Sequence, residues 1–435
     1  MSNKKPKEKK TIPDGLKTPK GMHDILPGEE VWWDKLHRAA EKVSEFYGFH
    51  KIETPILEQA SLFERAVGED TDIVQKEMYI VKTKGGDVLA LRPEGTAPVA
   101  RAFIEHSLGK SSPLQKLWYS GPMFRYENPQ AGRFRQFHQI GFETIGGPND
   151  PMYDAQIIIV TQRLLEELKI KNLNLKVNSI GCRVCRPIYK RQLQTYYKPH
   201  LKQLCTDCNR RYATNPLRLL DCKNENCQPF KEKVPNFFDK LCSTCSTHLK
   251  TVLEYMDELK ISYSLDNQLV RGLDYYSRTV FEFYVEGDGM SLGAVAGGGR
   301  YDYLLESLGG RPTPGVGAAF GSERLIEVMK AQGATPQLRI PRKVFMIHVG
   351  EQAKKKSLGI IEELRKGNIS VTEALSRESL KAQLKMADRE GAPLALILGQ
   401  KEIFENSVII RDLKNSLQEN VPLERLVEEI RKRLK

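Results

Sequence analysis

The spacing of apolar side chains predicts a large region that mixes helices with antiparallel strands. Apolar residues recur every three to four positions in four segments, and each of these predicts a helix. The predicted helices are 29–46, 151–168, 301–308 and 322–331. Segments rich in β-branched and aromatic residues, bounded by turn residues, predict strands. These strands are 78–82, 88–91, 114–126, 134–145, 275–285 and 315–320.

Proline and glycine modify this pattern at two places. Residues 49–57 resemble a strand, but Pro55 interrupts them. Because proline lacks the backbone N–H of a sheet ladder, this strand is expected at an edge, a bulge or an interface. Gly297, Gly298 and Gly299 form a run that predicts either a close approach of a ligand to the backbone or a plain turn.

The pattern changes after residue 343, which divides the chain into regions. Strands and helices then alternate, and this predicts a small α/β domain with a mainly parallel sheet. The fold class expected for the remainder is an α+β core on an antiparallel sheet flanked by helices. The predicted regions are a basic disordered tail (1–20), a core in two pieces (21–181 and 251–331), a cysteine-rich insertion (182–250), a linker (332–343) and the α/β domain (344–435).

Positive charge is concentrated in three of these regions. The net charge of +12 is distributed as +5 in residues 1–20, +9 in 182–250 and +5 in 341–435, and the rest of the chain carries −7. Solvated lysine faces would explain any one basic helix. The segregation of charge favours peripheral regions that bind a polyanion such as nucleic acid, around a mildly acidic centre.

The chain contains no sequence signal for a membrane or for secretion. No apolar run approaches the roughly 18 residues that cross a bilayer. The lysine-rich start is not followed by an apolar stretch, so a cytoplasmic location is expected. The glycine-rich phosphate-binding loops and the zinc-protease and serine-hydrolase motifs are also missing from the sequence. A nucleotide would therefore be bound in another way.

All eight cysteines lie between Cys182 and Cys245, in four close pairs. The pairs are Cys182/Cys185, Cys205/Cys208, Cys222/Cys227 and Cys242/Cys245. Such spacing is typical of knuckles that wrap a tetrahedral zinc ion, and a cytosolic chain keeps its thiols reduced. The pairs predict structural Zn²⁺, with three possible ways of combining them into two sites. His248 is expected to be a surface histidine rather than a ligand.

Five arginines stand in aromatic and glycine-rich segments, on or beside predicted strands. They are Arg125, Arg133, Arg135, Arg271 and Arg324. Each alone is more simply a surface residue. As a group on a rigid sheet, their guanidinium groups would form fixed clamps for phosphate or carboxylate.

These segments resemble the sequence motifs of class II aminoacyl-tRNA synthetases. Residues 124–127 (FRYE) and 132–139 (GRFRQFHQ) resemble motif 2, and 315–325 (GVGAAFGSERL) resembles motif 3. The segment around Pro55 resembles motif 1, which forms the dimer interface in this class. Residues 269–276 (LVRGLDYY) and 296–302 (AGGGRYD) resemble two peptides peculiar to the histidyl-tRNA synthetase family, in which 91–96 (LRPEGT) is also typical.

The resemblance implies a role for each matching residue. Histidine would be bound by Glu94, Thr96, Gln139, Glu143, Tyr275, Tyr276 and Tyr301, with Glu143 and Tyr276 at the two imidazole nitrogens. ATP would be bound by Arg125, Glu127, Arg133, Phe137 and Arg324. Arg271 and Arg125 would be the catalytic residues, at the substrate carboxylate and the α-phosphate. Polar groups on both sides of the ring would reject analogues that leave them unpaired.

The implied reaction has two steps, and its implied partners are histidine, ATP with Mg²⁺, and the histidine tRNA. The histidine carboxylate attacks the α-phosphorus, and a ribose hydroxyl of the tRNA then takes the histidyl group. The family places an insertion domain at 182–250 and an anticodon-binding domain at the C-terminus, and it acts as a homodimer. Asn128 stands where the family usually has arginine, and many members lack the cysteine pairs.

Three alternatives remain on sequence grounds. One is the non-catalytic regulatory subunit of ATP phosphoribosyltransferase, which usually lacks the anticodon domain and loses motif residues; this chain keeps Arg125, Arg271 and Arg324. A class II synthetase for another amino acid would lack the Glu143/Tyr276 pair. A zinc-bearing RNA-binding protein without activity would leave the acidic centre without a role.

Overall fold

The computed structural model describes residues 16–130, 132–287, 293–334, 344–374 and 379–434. The chain divides into two compact units, Met1–Pro336 and Gln337–Lys435. Most of the predicted tail and of the predicted linker lies outside the described residues. None of the helices in the described ranges is long and apolar enough to span a bilayer.

An eight-stranded sheet forms the centre of the first unit, beside a sheet of three strands. The strands are β1 (His50–Lys51), β2 (Leu57–Gln59), β3 (Ile80–Lys82), β4 (Val88–Leu91), β5 (Leu114–Phe124), β6 (Gln136–Gly146), β7 (Leu173–Ser179), β8 (Ser264–Leu265), β9 (Ser277–Val285), β10 (Ala296–Arg300) and β11 (Gly315–Gly321). The large sheet has the order β1-β5-β6-β11-β10-β9-β7-β8, and the small sheet has the order β2-β4-β3. Neighbours are antiparallel except at the two edges of the large sheet, so the predicted antiparallel core is confirmed.

Helices cover both faces of the large sheet. They are α1 (Glu30–Tyr47), α2 (Ala60–Val67), α3 (Thr96–Glu105), α4 (Leu108–Ser111), α5 (Pro151–Glu167), α6 (Cys185–Tyr197), α7 (Thr206–Thr214), α8 (Gln228–Lys231), α9 (Ser243–Glu258), α10 (Leu304–Ser307) and α11 (Ser322–Ala331). Apolar residues of α1, α5, α9 and α11 pack with alternate sheet residues in one hydrophobic core. The other face packs with α2, α3, α10 and the insertion in a second core.

Two local predictions need correction. The strand predicted at 49–57 is interrupted over residues 52–56, which include Pro55, and β1 and β2 join different sheets. The glycine run at 297–299 is not a turn, because it forms the interior of β10, which pairs with strands on both sides. Glycine fits there because a side chain at Gly298 would lie 2.1 Å from the Gly317 carbonyl oxygen.

The second unit is a five-stranded sheet with helices. Its strands are β12 (Val344–His348), β13 (Val371–Glu373), β14 (Leu394–Leu398), β15 (Ser407–Asp412) and β16 (Gln418–Pro422), and its helices are α12 (Glu351–Lys366), α13 (Leu380–Arg389), α14 (Gln400–Phe404) and α15 (Leu426–Arg433). The order is β13-β12-β14-β15-β16. Only β13, β12 and β14 are parallel, so the expectation of a mainly parallel sheet is wrong. β15 runs antiparallel because its short connection leaves no room for a full crossover.

Candidate active site and cysteine clusters

One face of the large sheet carries the candidate site, and the pleat of β6 explains how. Ile140 and Phe142 point into the helix-covered core. Successive side chains of a strand alternate between its faces, so Gln139 and Glu143 lie on the opposite face. That face meets the start of α3, because Thr96 contacts Glu143 there. The alternation therefore separates packing residues from polar residues within a single strand.

Glu143 lies at the centre of a buried group of polar and aromatic side chains, which we name the pocket. Only 1% of its surface is exposed. Thr96 Oγ1 donates a hydrogen bond to Glu143 Oε1 over 2.8 Å, and the Tyr301 hydroxyl donates to Oε2 over 2.6 Å. Burial raises the pKa of Glu143 to about 8; the two hydrogen bonds oppose this shift, and the nearby Glu94 carboxylate adds to it. A buried carboxyl with this pKa exchanges a proton near neutral pH.

Glu94 fixes the start of α3 beside this pocket. Its two carboxylate oxygens accept hydrogen bonds from the backbone N–H groups of Thr96 and Ala97, at 2.7 and 2.8 Å. The Tyr275 hydroxyl donates to the same carboxylate at 3.3 Å. Burial raises the pKa of Glu94, and these backbone hydrogen bonds counteract the rise. Glu94 therefore places a carboxyl at the N-terminus of α3, where the helix dipole favours a negative charge.

Aromatic rings form the remaining walls. Tyr275, Tyr276 and Tyr301 are all buried, and burial raises the pKa of each hydroxyl. Tyr119 is a further wall residue that the sequence reasoning missed, although its position in the alternation of β5 could have indicated it. Among the described residues, Gln139 Oε1 is buried without a hydrogen-bond partner. A buried acceptor of this kind is suited to a polar ligand.

Glycines make the space that these side chains occupy. A side chain at Gly317 would lie 1.7 Å from Glu143 Oε2, and one at Gly315 would lie 2.1 Å from the Tyr301 ring. At Gly297 it would lie 2.6 Å from the Arg271 guanidinium. The small residues of β10 and β11 are thus complementary to the large polar residues that lie over them.

Four of the five arginines lie around a loop between β5 and β6. Arg125 donates from Nε to the Pro93 carbonyl oxygen at 2.9 Å, and its guanidinium lies 5.3 Å from the centre of the Phe137 ring. Arg133 lies 3.6 Å from Glu127, which is 3.9 Å from Arg125. Arg135 stacks on the Tyr126 ring at 3.7 Å and supports the loop rather than facing the site.

Arg324 joins this group from α11. Its Nε donates to the Gly132 carbonyl oxygen at 3.0 Å, and its Nη1 donates to the Ala294 carbonyl oxygen at 2.7 Å. Burial lowers the pKa of Arg324, and the charges of Arg133 and Arg125 lower it further. We name Arg125, Arg133, Arg271 and Arg324 the arginine cluster. An anion bound among Arg125, Arg133 and Arg324 would relieve the repulsion between their charges.

Arg271 belongs to the cluster through β10. Its guanidinium lies over Gly297, and Arg324 contacts the carbonyl oxygen of Ala294, three residues earlier in the chain. The same guanidinium forms an ion pair with the carboxylate of Glu282. Burial lowers the pKa of Arg271, but the Glu282 charge reverses this and leaves the pKa raised. The sequence reasoning missed Glu282. A glutamate between Phe281 and Phe283, two aromatic residues of β9, was the available signal.

The cysteines form two separate clusters. The cluster of Cys182, Cys185, Cys242 and Cys245 closes the two ends of the insertion, and the cluster of Cys205, Cys208, Cys222 and Cys227 lies in its interior. Sulfur–sulfur distances include 3.7 Å for Cys182–Cys185 and 3.8 Å for Cys205–Cys222. Four thiolates at about 2.3 Å from a zinc ion are about 3.8 Å apart. The eight thiols are free, and both clusters fit a tetrahedral metal.

His248 lies in neither cluster, and the expectation of a surface histidine is wrong. It is 5% exposed, and its Nε2 is 3.2 Å from Asp154 Oδ1. Arg300 is the second partner of Asp154, with Nε 2.9 Å from Oδ2. Burial acts to raise the pKa of Asp154, but the charge of Arg300 and the hydrogen bond from His248 lower it to about 2. These three residues form a buried hydrogen-bonded network centred on Asp154.

Family models match nearly the whole chain. The model described as histidyl-tRNA synthetase matches residues 21–325, and the model described as anticodon binding domain matches residues 343–433. The first model includes the pocket, the arginine cluster and both cysteine clusters.

Individual relatives agree with these models. A histidine–tRNA ligase of Dehalococcoides mccartyi is 44% identical over 96% of this chain and 99% of its own length, and one of Syntrophotalea carbinolica is 46% identical over 93% and 96%. The structure of apo S. aureus histidyl-tRNA synthetase aligns with a TM-score of 0.79 at 32% identity over 95% of this chain and 99% of that one. A Bacillus halodurans protein described as an ATP phosphoribosyltransferase regulatory subunit/histidyl-tRNA synthetase aligns at 0.63 and 20% identity over 89% and 99%, which shows a common fold. The chain therefore belongs to the histidyl-tRNA synthetase family, and it is an enzyme of the histidine–tRNA ligase type.

Proposed function

We propose that this chain activates L-histidine with ATP to histidyl-adenylate and transfers the histidyl group to the 3′ end of its tRNA. The observation that carries the proposal is the arrangement of the site. A pocket of buried side chains with the Glu143 carboxyl at its centre lies beside a cluster of arginines, on a sheet whose sequence matches the family throughout. The pocket suits a small polar amino acid, and the cluster suits a triphosphate.

In this proposal the pocket recognises histidine through its α-ammonium group and the two nitrogens of its imidazole ring. Glu94, Thr96 and Gln139 hold the α-ammonium, since they offer acceptors and negative charge. Glu143 and Tyr276 contact the two imidazole nitrogens, while Tyr275 and Tyr301 line the ring. The buried carboxyl of Glu143 already has two donors, so an imidazole N–H would replace or join one of them. An apolar analogue would leave these groups unpaired.

The arginine cluster handles the phosphates. Arg125 clamps the α-phosphate, Arg324 meets the γ-phosphate, and Phe137 stacks on adenine with Glu127 and Arg133 nearby. Arg271 bridges the histidine carboxylate and the α-phosphate. The carboxylate oxygen forms a bond to phosphorus while the bond to pyrophosphate breaks. Positioning and stabilisation of the developing charge are sufficient, so no side chain needs to act as a nucleophile.

Mg²⁺ would accompany ATP and neutralise part of the phosphate charge. The chain offers the carboxylates of Glu127 and Glu282 at the arginine cluster, and oxygen ligands are those that Mg²⁺ prefers. Both carboxylates are held in place by arginine partners, so they could reorient toward a metal only as the arginines turn to the phosphates.

The tRNA would be bound by the two basic regions. The insertion carries +9, and the residues from 341 to the C-terminus carry +5, whereas the site-bearing core is acidic. We assign the acceptor arm to the insertion and the anticodon to the C-terminal unit, in accordance with the anticodon-binding model. The domain limits given above stay predictions. Charging of tRNA and retention of free thiols both favour a cytoplasmic location.

A homodimer is the proposed assembly. Support comes from apolar side chains exposed on the small sheet and the segment before it, near the sequence that resembles motif 1. These residues are Ile56, Leu57, Ile80, Val81 and Val88, all at least 38% exposed. Leu57 and Val81 share one face of the small sheet, and apolar side chains exposed together on one face are typical of an interface. Leu57→Asp should shift the protein from dimer to monomer in sedimentation, while Leu358→Asp, on exposed helix surface of the second unit, should not.

Two structural zinc ions per chain complete the proposal. Each cluster would supply four thiolates, and the zinc would stabilise the insertion without taking part in the reaction. Metal analysis of protein purified without chelator should find two zinc ions per chain. Cys182→Ser and Cys205→Ser should each lose one ion, and Ser243→Ala, beside Cys242, should lose none. Folded protein free of metal would contradict this part.

ATP–pyrophosphate exchange tests the main proposal. Purified protein should exchange labelled pyrophosphate into ATP only when histidine is added, and it should charge only the histidine tRNA. Exchange without histidine, or faster exchange with another amino acid, would contradict the assignment. The inactive paralogue would show no exchange at all.

A further inference from the structure

The cysteine-rich insertion packs directly on the chain segment that carries Arg271, Tyr275 and Tyr276. We name residues 271–276 the activation segment. Insertion residues such as Tyr189, Leu217 and Phe237 share one hydrophobic core with Tyr275 and Tyr276. An insertion that served only tRNA would need no such continuity with the amino-acid pocket.

Three side chains of the insertion donate hydrogen bonds along the activation segment at alternate positions. Arg218 Nη1 donates to the Gly272 carbonyl oxygen at 3.3 Å. Asn215 Nδ2 donates to Asp274 Oδ1 at 2.7 Å. The guanidinium of Arg186 donates to the Tyr276 carbonyl oxygen. Two of these hydrogen bonds hold the segment between Arg271 and Tyr275, and the third holds it at Tyr276.

The opposite side of the segment is fixed by the core. The Asp274 backbone N–H donates to the Val67 carbonyl oxygen at 3.0 Å, and Gly68 lies so close that a side chain there would come within 2.9 Å of the Asp274 carboxylate. Asp274 is therefore held between the end of α2 and the insertion.

The insertion is itself tied to the same part of the core. Asp72 accepts from Arg210 at 3.0 Å, from Arg211 at 2.6 Å and from Arg218 at 3.2 Å. Burial acts to raise the pKa of Asp72, but these arginines hold it below its usual value. Arg218 thus bridges Asp72 and Gly272, which are far apart in sequence.

The donors are placed by the cysteine clusters. Arg186 follows Cys185 directly, and both Asn215 and Arg218 lie between Cys208 and Cys222. The fold of each cluster therefore determines where these donors point.

We propose that Asn215, Arg218 and Arg186 are positioning residues for histidine activation, through which the cysteine-rich insertion holds the activation segment in its working geometry. The proposal rests on the proposed function. It gives the insertion a role in the first half-reaction, which takes place without tRNA. Small displacements of Arg271 or Tyr276 would lower the rate because catalysis here depends on geometry.

The test is histidine-dependent ATP–pyrophosphate exchange without tRNA, measured on the full chain. Asn215→Ala should lower kcat/KM for histidine by about tenfold or more, because a buried hydrogen bond to a charged group is lost. The KM for ATP should change less, since three of the four arginines proposed to bind its phosphates, Arg125, Arg133 and Arg324, belong to other elements. Arg191→Ala, an exposed arginine on α6, is the matched control and should leave exchange unchanged.

A second pair of variants guards against a simple folding defect. Asn215→Asp keeps the size of the side chain but sets two carboxylates against each other, and it should lower kcat/KM for histidine further. Adding Asp274→Asn restores one donor and one acceptor, and it should recover at least part of the loss. Arg218→Lys should lose less than Arg218→Met, because it retains a donor for Gly272.

Each outcome decides the matter. A selective loss in kcat/KM for histidine with rescue by the double variant supports the proposal. Unchanged exchange with slower tRNA charging would overturn it, because the insertion would then serve tRNA alone. A lower kcat with unchanged KM values and a lower Tm, without recovery in the double variant, would also overturn it, as a loss of folded protein. If the unaltered chain shows no histidine-dependent exchange, the proposed function itself fails and this inference falls with it.

Discussion

The histidine pocket and the arginine cluster lie on the same sheet but are built in opposite ways. In the pocket, Glu94 and Glu143 are at most 3% exposed, and their oxygens have donors from the same unit. In the arginine cluster, the side chains of Arg125 and Arg133 are 21% and 39% exposed. The pocket is closed, and the cluster remains in contact with water.

The difference reflects what each region has to bind. Burying a carboxyl costs free energy unless the carboxyl has hydrogen-bond partners. A ligand that leaves the carboxyls of the pocket without partners therefore binds more weakly, and this difference gives the pocket its selectivity. A triphosphate brings several charges, and partly exposed, weakly hydrated guanidinium groups can meet it without a large desolvation cost. The pocket should therefore be sensitive to shape and pH, and the cluster to charge and salt.

Arg271→Ala should have the largest effect, because Arg271 lies where the two regions meet. Loss of a cation at the site of developing charge should lower kcat of exchange by about 10³-fold. Arg271→Lys keeps the charge without the planar fork, so its kcat should lie between those of the unaltered protein and Arg271→Ala. Steady-state exchange measures both. A change of less than fivefold for Arg271→Ala would remove Arg271 from the reaction.

Gly317→Ala should come next, because it tests shape in the pocket alone. The added methyl group would overlap Glu143 Oε2 and displace that carboxyl, so kcat/KM for histidine should fall by about 10²-fold. The KM for ATP should change little. Gly359→Ala, in α12 with open space around it, is the control and should raise stability by about 0.5 to 1 kcal/mol. Equal effects on the two KM values would break the distinction between the regions.

The pH dependence of stability tests the buried carboxyl. Glu143 has a pKa of about 8 in the folded chain against 4.5 ordinarily, so the folded state holds the extra proton between these values. The free energy of unfolding should then fall as pH rises through that window. Glu143→Gln should remove this component and gain about 4 kcal/mol relative to the unaltered protein between pH 5 and pH 8.5. Chemical denaturation at both values measures it, and a pH-independent difference would contradict the pKa.

Salt should give the smallest effect, and it tests the cluster. Raising potassium chloride from about 0.05 M to about 0.5 M, at fixed free Mg²⁺, should raise the KM for ATP about threefold through screening. The KM for histidine should change less, because its partners are buried. Arg133→Ala should weaken the salt dependence. A larger salt effect on histidine than on ATP would reverse the comparison.

Local features were largely predictable from the sequence. The helix Glu30–Tyr47, the hairpin β5–β6 and the helix Ser322–Ala331 follow from periodicity and turn residues, and each lies where expected. The cysteine spacing indicated metal knuckles because the two ligands of each pair are close in the chain, so each pair is a local feature. Resemblance to a family indicated the polar residues of the site, whose roles remain proposals.

The tertiary structure alone decided how distant parts combine. It grouped Cys182 with Cys242 rather than with an interior pair, made the glycine run a central strand, and buried His248 against Asp154. It also placed Glu282 under Arg271 and the insertion on the activation segment. Periodicity reports which face of an element is apolar, but not which element will cover it. Those pairings depend on packing across the whole sheet, where residues far apart in sequence share one core.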